Sequence, residues 1–205
     1  MTQPLLPRRA LGAAALLATT AGAVAAQDRS VLRVVPSSDL TVLDPVWTTA
    51  YIVRTHGYLI YDTLFAMDAN DRPQPMMVDR WTVSDDRLTW TFTLRPGLEF
   101  HDGQPVTGAD VIASLTRWGA RDTFGRRLFA VLDGMDDLGT EGFRIRLKRP
   151  FGRMLDALGK TGMRVPFIMP ARIASVSADQ RITEAVGSGP FIFKADEWRA
   201  GVPGV

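Results

Sequence analysis

Apolar and polar residues alternate strictly from Leu88 to Leu94, where Leu88, Trp90, Phe92 and Leu94 are separated by Thr89, Thr91 and Thr93. A period of two places the first set on one face and the threonines on the other, which predicts a strand with one buried and one wet side. Pro96-Gly97 breaks the run, Leu98 and Phe100 resume it for a short second strand, and His101-Asp102-Gly103 supplies the next turn. The period then lengthens. Val111, Leu115 and Trp118 recur at helical spacing behind Thr107 and Asp110, a pair spaced to close a capping box over a helix start.

Upstream, residues 31–35 form a short apolar run ended by Pro36-Ser37-Ser38-Asp39 and predict a buried strand feeding a polar loop. Leu43-Asp44-Pro45 marks a further turn, and residues 48–65 are apolar at helical spacing. Residues 68–73 have the composition of a loop tip, and Trp81 and Val83 begin a strand that residues 84–87 turn back into the Leu88 run as an antiparallel hairpin. Downstream of Trp118 the pattern weakens until Phe143, Ile145 and Leu147 alternate with Arg144, Arg146 and Lys148, a half-exposed strand whose basic face is expected to be solvated. Met154, Leu155 and Leu158 predict a short helix, residues 164–170 an apolar segment punctuated by prolines, residues 171–185 a helix, and residues 191–194 a strand after Gly187-Ser188-Gly189-Pro190.

Composition changes this picture in two places. The first 26 residues hold Arg8 and Arg9 ahead of an Ala/Leu-rich run and then Ala23-Val24-Ala25-Ala26, the layout of a signal peptide with cleavage expected near Ala25 or Ala26. Removing it takes Arg8 and Arg9 from the 24 basic residues and leaves 22 against 22 acidic ones, so the high isoelectric point belongs to the leader. A neutral remainder gives no electrostatic case for nucleic acid or an anionic membrane as partner. With no cysteine, disulfides, thiolate metal ligands, thiol catalysis and an N-terminal lipid anchor on cysteine all fall away.

Catalytic constellations are scarce. The two histidines, His56 and His101, stand 45 positions apart without the spacing of a zinc helix. Gly159-Lys160-Thr161 resembles the end of a phosphate loop, but Met154 occupies the place of its first glycine. Gly187-Ser188-Gly189 lacks the nucleophile-elbow spacing and has no histidine after it. Asp85-Asp86 and Asp136-Asp137 are adjacent carboxylates, ill placed to act as an acid/base couple. Aromatic residues are more informative: Trp47, Tyr51 and Tyr58 follow the polar loop and could line a cleft for a small organic ligand, or equally pack in the core.

Three motifs carry a resemblance: FTLRPGLEFHDGQPVTGADVIASLTRW at residues 92–118; LDP at 43–45 with the following YDTLF and PMMVDRW; and GSGPFIF at 187–193. With these the chain resembles the solute-binding proteins of ABC importers, in the peptide/nickel-type group called extracellular solute-binding family 5. The resemblance implies an α/β fold (α+β, mixed sheets), the N-terminal portion of a two-lobed periplasmic binding protein. It implies a signal peptide over 1–26, the first strand and loop of lobe I over 27–50, an inserted α/β subdomain over 51–170, and a truncated return to lobe I over 171–205.

Family members are much longer, so the second lobe is expected to be absent and the fragment unable to close on ligand alone. The implied role is periplasmic capture of a small-molecule or peptide solute by a monomer and its delivery to an ABC permease in the cytoplasmic membrane, with no cofactor, metal or catalysis. By position the resemblance nominates Asp39, Leu40 and Thr41 as solute contacts, to which the aromatic reading adds Trp47 and Tyr51. The alternatives are a secreted hydrolase, which turnover dependent on His56 or His101 would reveal, and an exported structural domain that folds without any ligand.

Overall fold

The computed structural model describes residues 31–200 apart from Arg33. The expected leader and its cleavage point lie outside the described residues. The chain divides into two units, Met1–Val35 and Pro36–Val205. In the first, Val31, Leu32, Val34 and Val35 are exposed and belong to no strand, Val35 being 94% accessible. The buried strand expected there is not formed. An apolar run becomes a strand only where a neighbouring backbone edge completes its hydrogen bonds, and among the described residues none pairs with this one.

The second unit begins with helix α1 (Tyr51–Ile60), followed by a hairpin of β1 (Phe65–Met67) and β2 (Pro73–Pro75). β3 (Val78–Val83) and β4 (Thr89–Leu94) form the predicted antiparallel hairpin. Helices α2 (Gly108–Arg121) and α3 (Thr123–Phe129) follow, then β5 (Leu132–Asp137), β6 (Gly142–Leu147), and the short helices α4 (Met154–Leu158) and α5 (Ala171–Ala174). The four longer strands make one antiparallel sheet in the order β3-β4-β6-β5.

The alternation of β4 and β6 builds the core. Phe92 faces Phe143 in register, the rings stacked 4.8 Å apart at 12°, and Trp90 faces Ile145. Val111, Leu115 and Trp118 of α2 complete this cluster, all at 0% exposure. Leu98 and Phe100 form no second strand; a single bridge, Glu99 to Pro105, is all that the proline-flanked turn allows. The basic face of β6 is paired as well as solvated: β5, unforeseen, brings Asp136 to 3.3 Å from Arg146 and 3.7 Å from Arg144. Gly134 sits at the β5 register shift, where a Cβ would lie 2.4 Å from Arg146 Nη2. These half-exposed pairs are each worth about 0–1 kcal/mol.

A second buried cluster, with Leu43, Ile60, Tyr61, Phe167, Met169, Ile173 and Ile182, joins the start of the unit to its end. Here two expected elements change. The helix expected over 171–185 stops at Ala174, and the strand expected over 191–194 is absent, with Phe191 and Ile192 exposed. In place of a ladder, Gly189 N and Phe191 N donate to Ile60 O and Leu59 O, two carbonyls that the C-terminal end of α1 leaves unpaired.

Candidate functional site

The geometry of the candidate site starts from Leu43-Asp44-Pro45. Asp44 is wholly buried. Its Oδ1 accepts from Val46 N at 2.9 Å and Trp47 N at 3.0 Å, which closes the turn. Its Oδ2 meets Arg117 Nη2 at 2.6 Å and Ile182 N at 3.0 Å. Arg117 in turn donates to the carbonyls of Val176, Ser177 and Gln180. One turn of helix earlier, Ser114 Oγ exchanges hydrogen bonds with Met169 O and N at 3.1 and 3.0 Å. Earlier still, Asp110 accepts from Thr107 N at 2.8 Å, as the capping box requires, and its other oxygen takes Ala171 N at 2.7 Å. Residues 110, 114 and 117 share one helical face, and that face fastens residues 169–182. The α5 helix ends early because its continuation gives its carbonyls to Arg117.

This framework sets the loop of residues 39–43 against the end of the unit. Asp39 is exposed, Leu40 half-buried and Thr41 exposed. Leu40 O accepts from Trp198 Nε1 at 3.1 Å, and Thr41 lines a cavity of about 240 Å³ with Leu43, Arg181, Thr183 and Trp198. Trp47 and Tyr51 are not part of it. The Arg121 guanidinium covers the Trp47 ring at 4.8 Å and shares the Trp47 carbonyl with Arg164, each at 3.4 Å. Tyr51 is 72% exposed, with Arg54 over its ring at 4.5 Å.

Sequence reasoning missed Trp198, which follows the last predicted strand, and the row of rings leading to it. His56 of α1 meets Phe193 edge-on at 5.3 Å, and Phe193 meets Trp198 at 5.9 Å. Both His56 ring nitrogens are shielded without a partner among the described residues, and burial pushes the imidazole down to about 4.

The Phe-His-Asp-Gly turn is a clamp. His101 N donates to Gly187 O at 2.8 Å and its ring Nε2 lies 2.8 Å from Gly189 O. Asp102 takes Arg172 Nη2 at 2.9 Å, the main cause of a carboxyl held below its usual range. Gly187 passes so close to α1 that a Cβ would sit 2.1 Å from Ile60 O. Asp62, half-buried, has its carboxyl raised by burial, and the Ser188 hydroxyl beside it is buried without a hydrogen-bond partner among the described residues. This Ser/His/Asp set is no relay, because the His101 Nε2 is already engaged by a carbonyl. His101→Ala is expected to lower stability by about 1 kcal/mol through the lost ring contact and the Gly189 carbonyl left unpaired, read as a lower urea midpoint at unchanged slope. No group of three or more His, Asp or Glu among the described residues is arranged to hold a metal, and no described helix is long and apolar enough to cross a membrane.

Residues 72–202 match the family described as bacterial extracellular solute-binding proteins, family 5 Middle. The chain is 44% identical over 158 residues to the probable peptide ABC transporter periplasmic-binding protein y4tO of Sinorhizobium fredii, covering 77% of this chain and 29% of that protein. It is 29% identical over 219 residues to the glutathione-binding protein GsiB of Pectobacterium atrosepticum, covering 99% of this chain and 42% of that one. Among solved structures, MoaA of A. tumefaciens R10 in complex with mannopinic acid superposes with a TM-score of 0.64 at 29% identity, over 77% of this chain and 33% of that one. The chain thus spans between 29% and 42% of the length of these relatives.

Proposed function

Because the chain belongs to family 5 of the bacterial extracellular solute-binding proteins, we propose that it is part of the solute-capturing component of a peptide-type ABC importer. It works outside the cytoplasmic membrane, passes its solute to a permease and performs no catalysis. The observation that carries this reading is the 44% identity to a probable peptide ABC transporter periplasmic-binding protein. In this proposal residues 1–26 direct export and residues 51–170 are the inserted subdomain of the first lobe. Asp39, Leu40 and Thr41 contribute solute contacts. What supports that assignment is the setting of the loop: Leu40 is tied to Trp198, and Thr41 opens on a cavity with Arg181 and Thr183. At about 240 Å³ this cavity is smaller than the ~300–1,000 Å³ of complete small-molecule sites, as suits a set of contacts that the rest of a binding cleft completes. Trp47 and Tyr51 are the outlying aromatic members of the proposed set.

Two measurements test the reading. Thermal melting in the presence of di- and tripeptides is expected to show stabilisation of a version extended to the relatives' length, about 2.7 kcal/mol at a hundredfold excess over Kd, and much less for the 205-residue chain. Stabilisation of neither by any peptide would overturn the peptide reading. In the extended protein, Thr41→Trp is expected to weaken binding by crowding the loop. Unchanged affinity would remove the loop from the site.

A further inference from the structure

A larger cavity, of about 420 Å³, opens at the β3–β4 hairpin, where Val83 and Trp90 meet Pro150 and Phe151. That volume lies within the ~300–1,000 Å³ of small-molecule sites. Its aromatic walls are fixed from behind. Trp90 stacks on the buried Phe92, centroids 6.2 Å apart at 15°, and Phe151 packs against Phe124 at 6.0 Å. Both rings are partly buried against the main core, so the cavity needs no ligand to hold its shape. The Trp90 indole N–H has no acceptor among the described residues.

The rim is the turn of residues 84–88, whose hydrogen bonds occupy only one of its carboxylates. Asp86 Oδ1 accepts from the Ser84 hydroxyl at 2.5 Å and from Leu88 N at 2.9 Å, and Arg87 N donates to Ser84 O at 2.8 Å. Asp85 and Arg87 both line the cavity. Among the described residues neither side chain has a hydrogen bond or an ion pair. Arg87 also holds a left-handed backbone, φ 59°, where glycine would be the unstrained residue. Local folding therefore gives no reason for an arginine at this position.

We propose that this cavity binds a small apolar zwitterion, an amino acid with an aliphatic or aromatic side chain. The side chain lies against Trp90 and Phe151, the carboxylate meets Arg87 and the ammonium meets Asp85. One unpaired charge of each sign beside an aromatic floor selects this class: a hydrocarbon answers neither charge, and a simple anion or cation is repelled by one of them. None of these residues belongs to the proposed solute loop, so the two sites stand or fall separately.

The test is a titration of the ¹⁵N-labelled chain with L-phenylalanine, following the Trp90 indole N–H signal, assigned through Trp90→Phe. A saturable shift of Trp90 with the Trp198 indole unmoved is expected. N-acetyl-L-phenylalanine and L-phenylalaninamide each lack one charge and are expected to bind at least about fivefold more weakly. Asp85→Asn and Arg87→Gln are expected to weaken L-phenylalanine to a similar degree at unchanged melting temperature. Arg87→Gly should raise the melting temperature while weakening binding. Absence of a saturable Trp90 shift, or equal affinity for phenylalanine and its two derivatives, would overturn the proposal.

Discussion

Asp44→Ala is expected to destabilise the protein by about 3–5 kcal/mol, the range for removing one partner of a buried ion pair. The Asp44 and Arg117 side chains are 0% and 1% exposed. The loss of the carboxylate leaves the guanidinium without a counter-charge in a site that water does not reach. It also strips the acceptor from Val46 N, Trp47 N and Ile182 N, each a buried or part-buried donor whose unpaired state adds to the cost. Asp44→Asn separates the two contributions. Its amide oxygen can still close the 44–47 turn, while the charge facing Arg117 is gone, so an intermediate loss is expected and a folded protein remains for measurement. Arg117→Met should cost a comparable amount, because Asp44 is then the lone charge. The double variant should lose clearly less than the two single losses added together, since no uncompensated charge remains. Urea unfolding of the parent and the four variants checks this. A loss under about 1 kcal/mol for Asp44→Ala, or strict additivity, would show that the pair does not hold the two ends of the unit together.

That pair also shows where the sequence stops being legible. The turn at Leu43-Asp44-Pro45 and the helix carrying Arg117 and Trp118 are both readable locally, yet the bond between them joins residues 73 positions apart, and no periodicity carries that information. The over-long helix expected over 171–185 has the same origin. Its local pattern is helical, and three of its carbonyls are claimed by one distant arginine. Strands β4 and β6 were legible because one face is buried in register along their length. Their neighbour β5 was not: Leu-Asp-Gly-Met-Asp-Asp has carboxylates where strand formers are expected, and two of them, Asp133 and Asp136, make sense only beside Arg144 and Arg146.

The site divides in the same way. The loop holding Leu40 and Thr41 announces itself by composition, whereas Trp198, 158 residues from Leu40, comes to it only through the fold. The two absent strands fail for a further reason. Residues 31–35 and 191–194 carry the right residue types, but a strand is a property of a pair, and among the described residues neither segment has a partner strand.

His56 should make the fold acid-sensitive well above the range where carboxylates titrate. In the unfolded chain an imidazole takes a proton near pH 6.5; buried against Phe193, His56 does so only at about 4. Between those values the unfolded state binds more protons than the folded one, so stability falls as the pH is lowered. The slope approaches ~1.4 kcal/mol per pH unit and the whole window is worth about 3–4 kcal/mol. Above pH 6.5 the histidine is neutral in both states and contributes no slope; below about 4 it is charged in both and the loss is complete. Asp102, held low first by Arg172, contributes stability that is lost only at more acid pH. Asp62, raised by burial, works in the opposite direction. Neither contribution changes in His56→Leu, which removes the titrating ring and its two unpaired nitrogens while keeping an apolar group against Phe193. Its stability at neutral pH is expected to stay within about 1 kcal/mol of the parent, and its profile should lose the parent's decline and keep only the opposite trend that Asp62 contributes. Urea midpoints of the two proteins measured in steps from about pH 7 to about pH 4 decide it: parallel profiles would mean that His56 is protonated in the folded chain and that the row of rings running to Trp198 accommodates the charge.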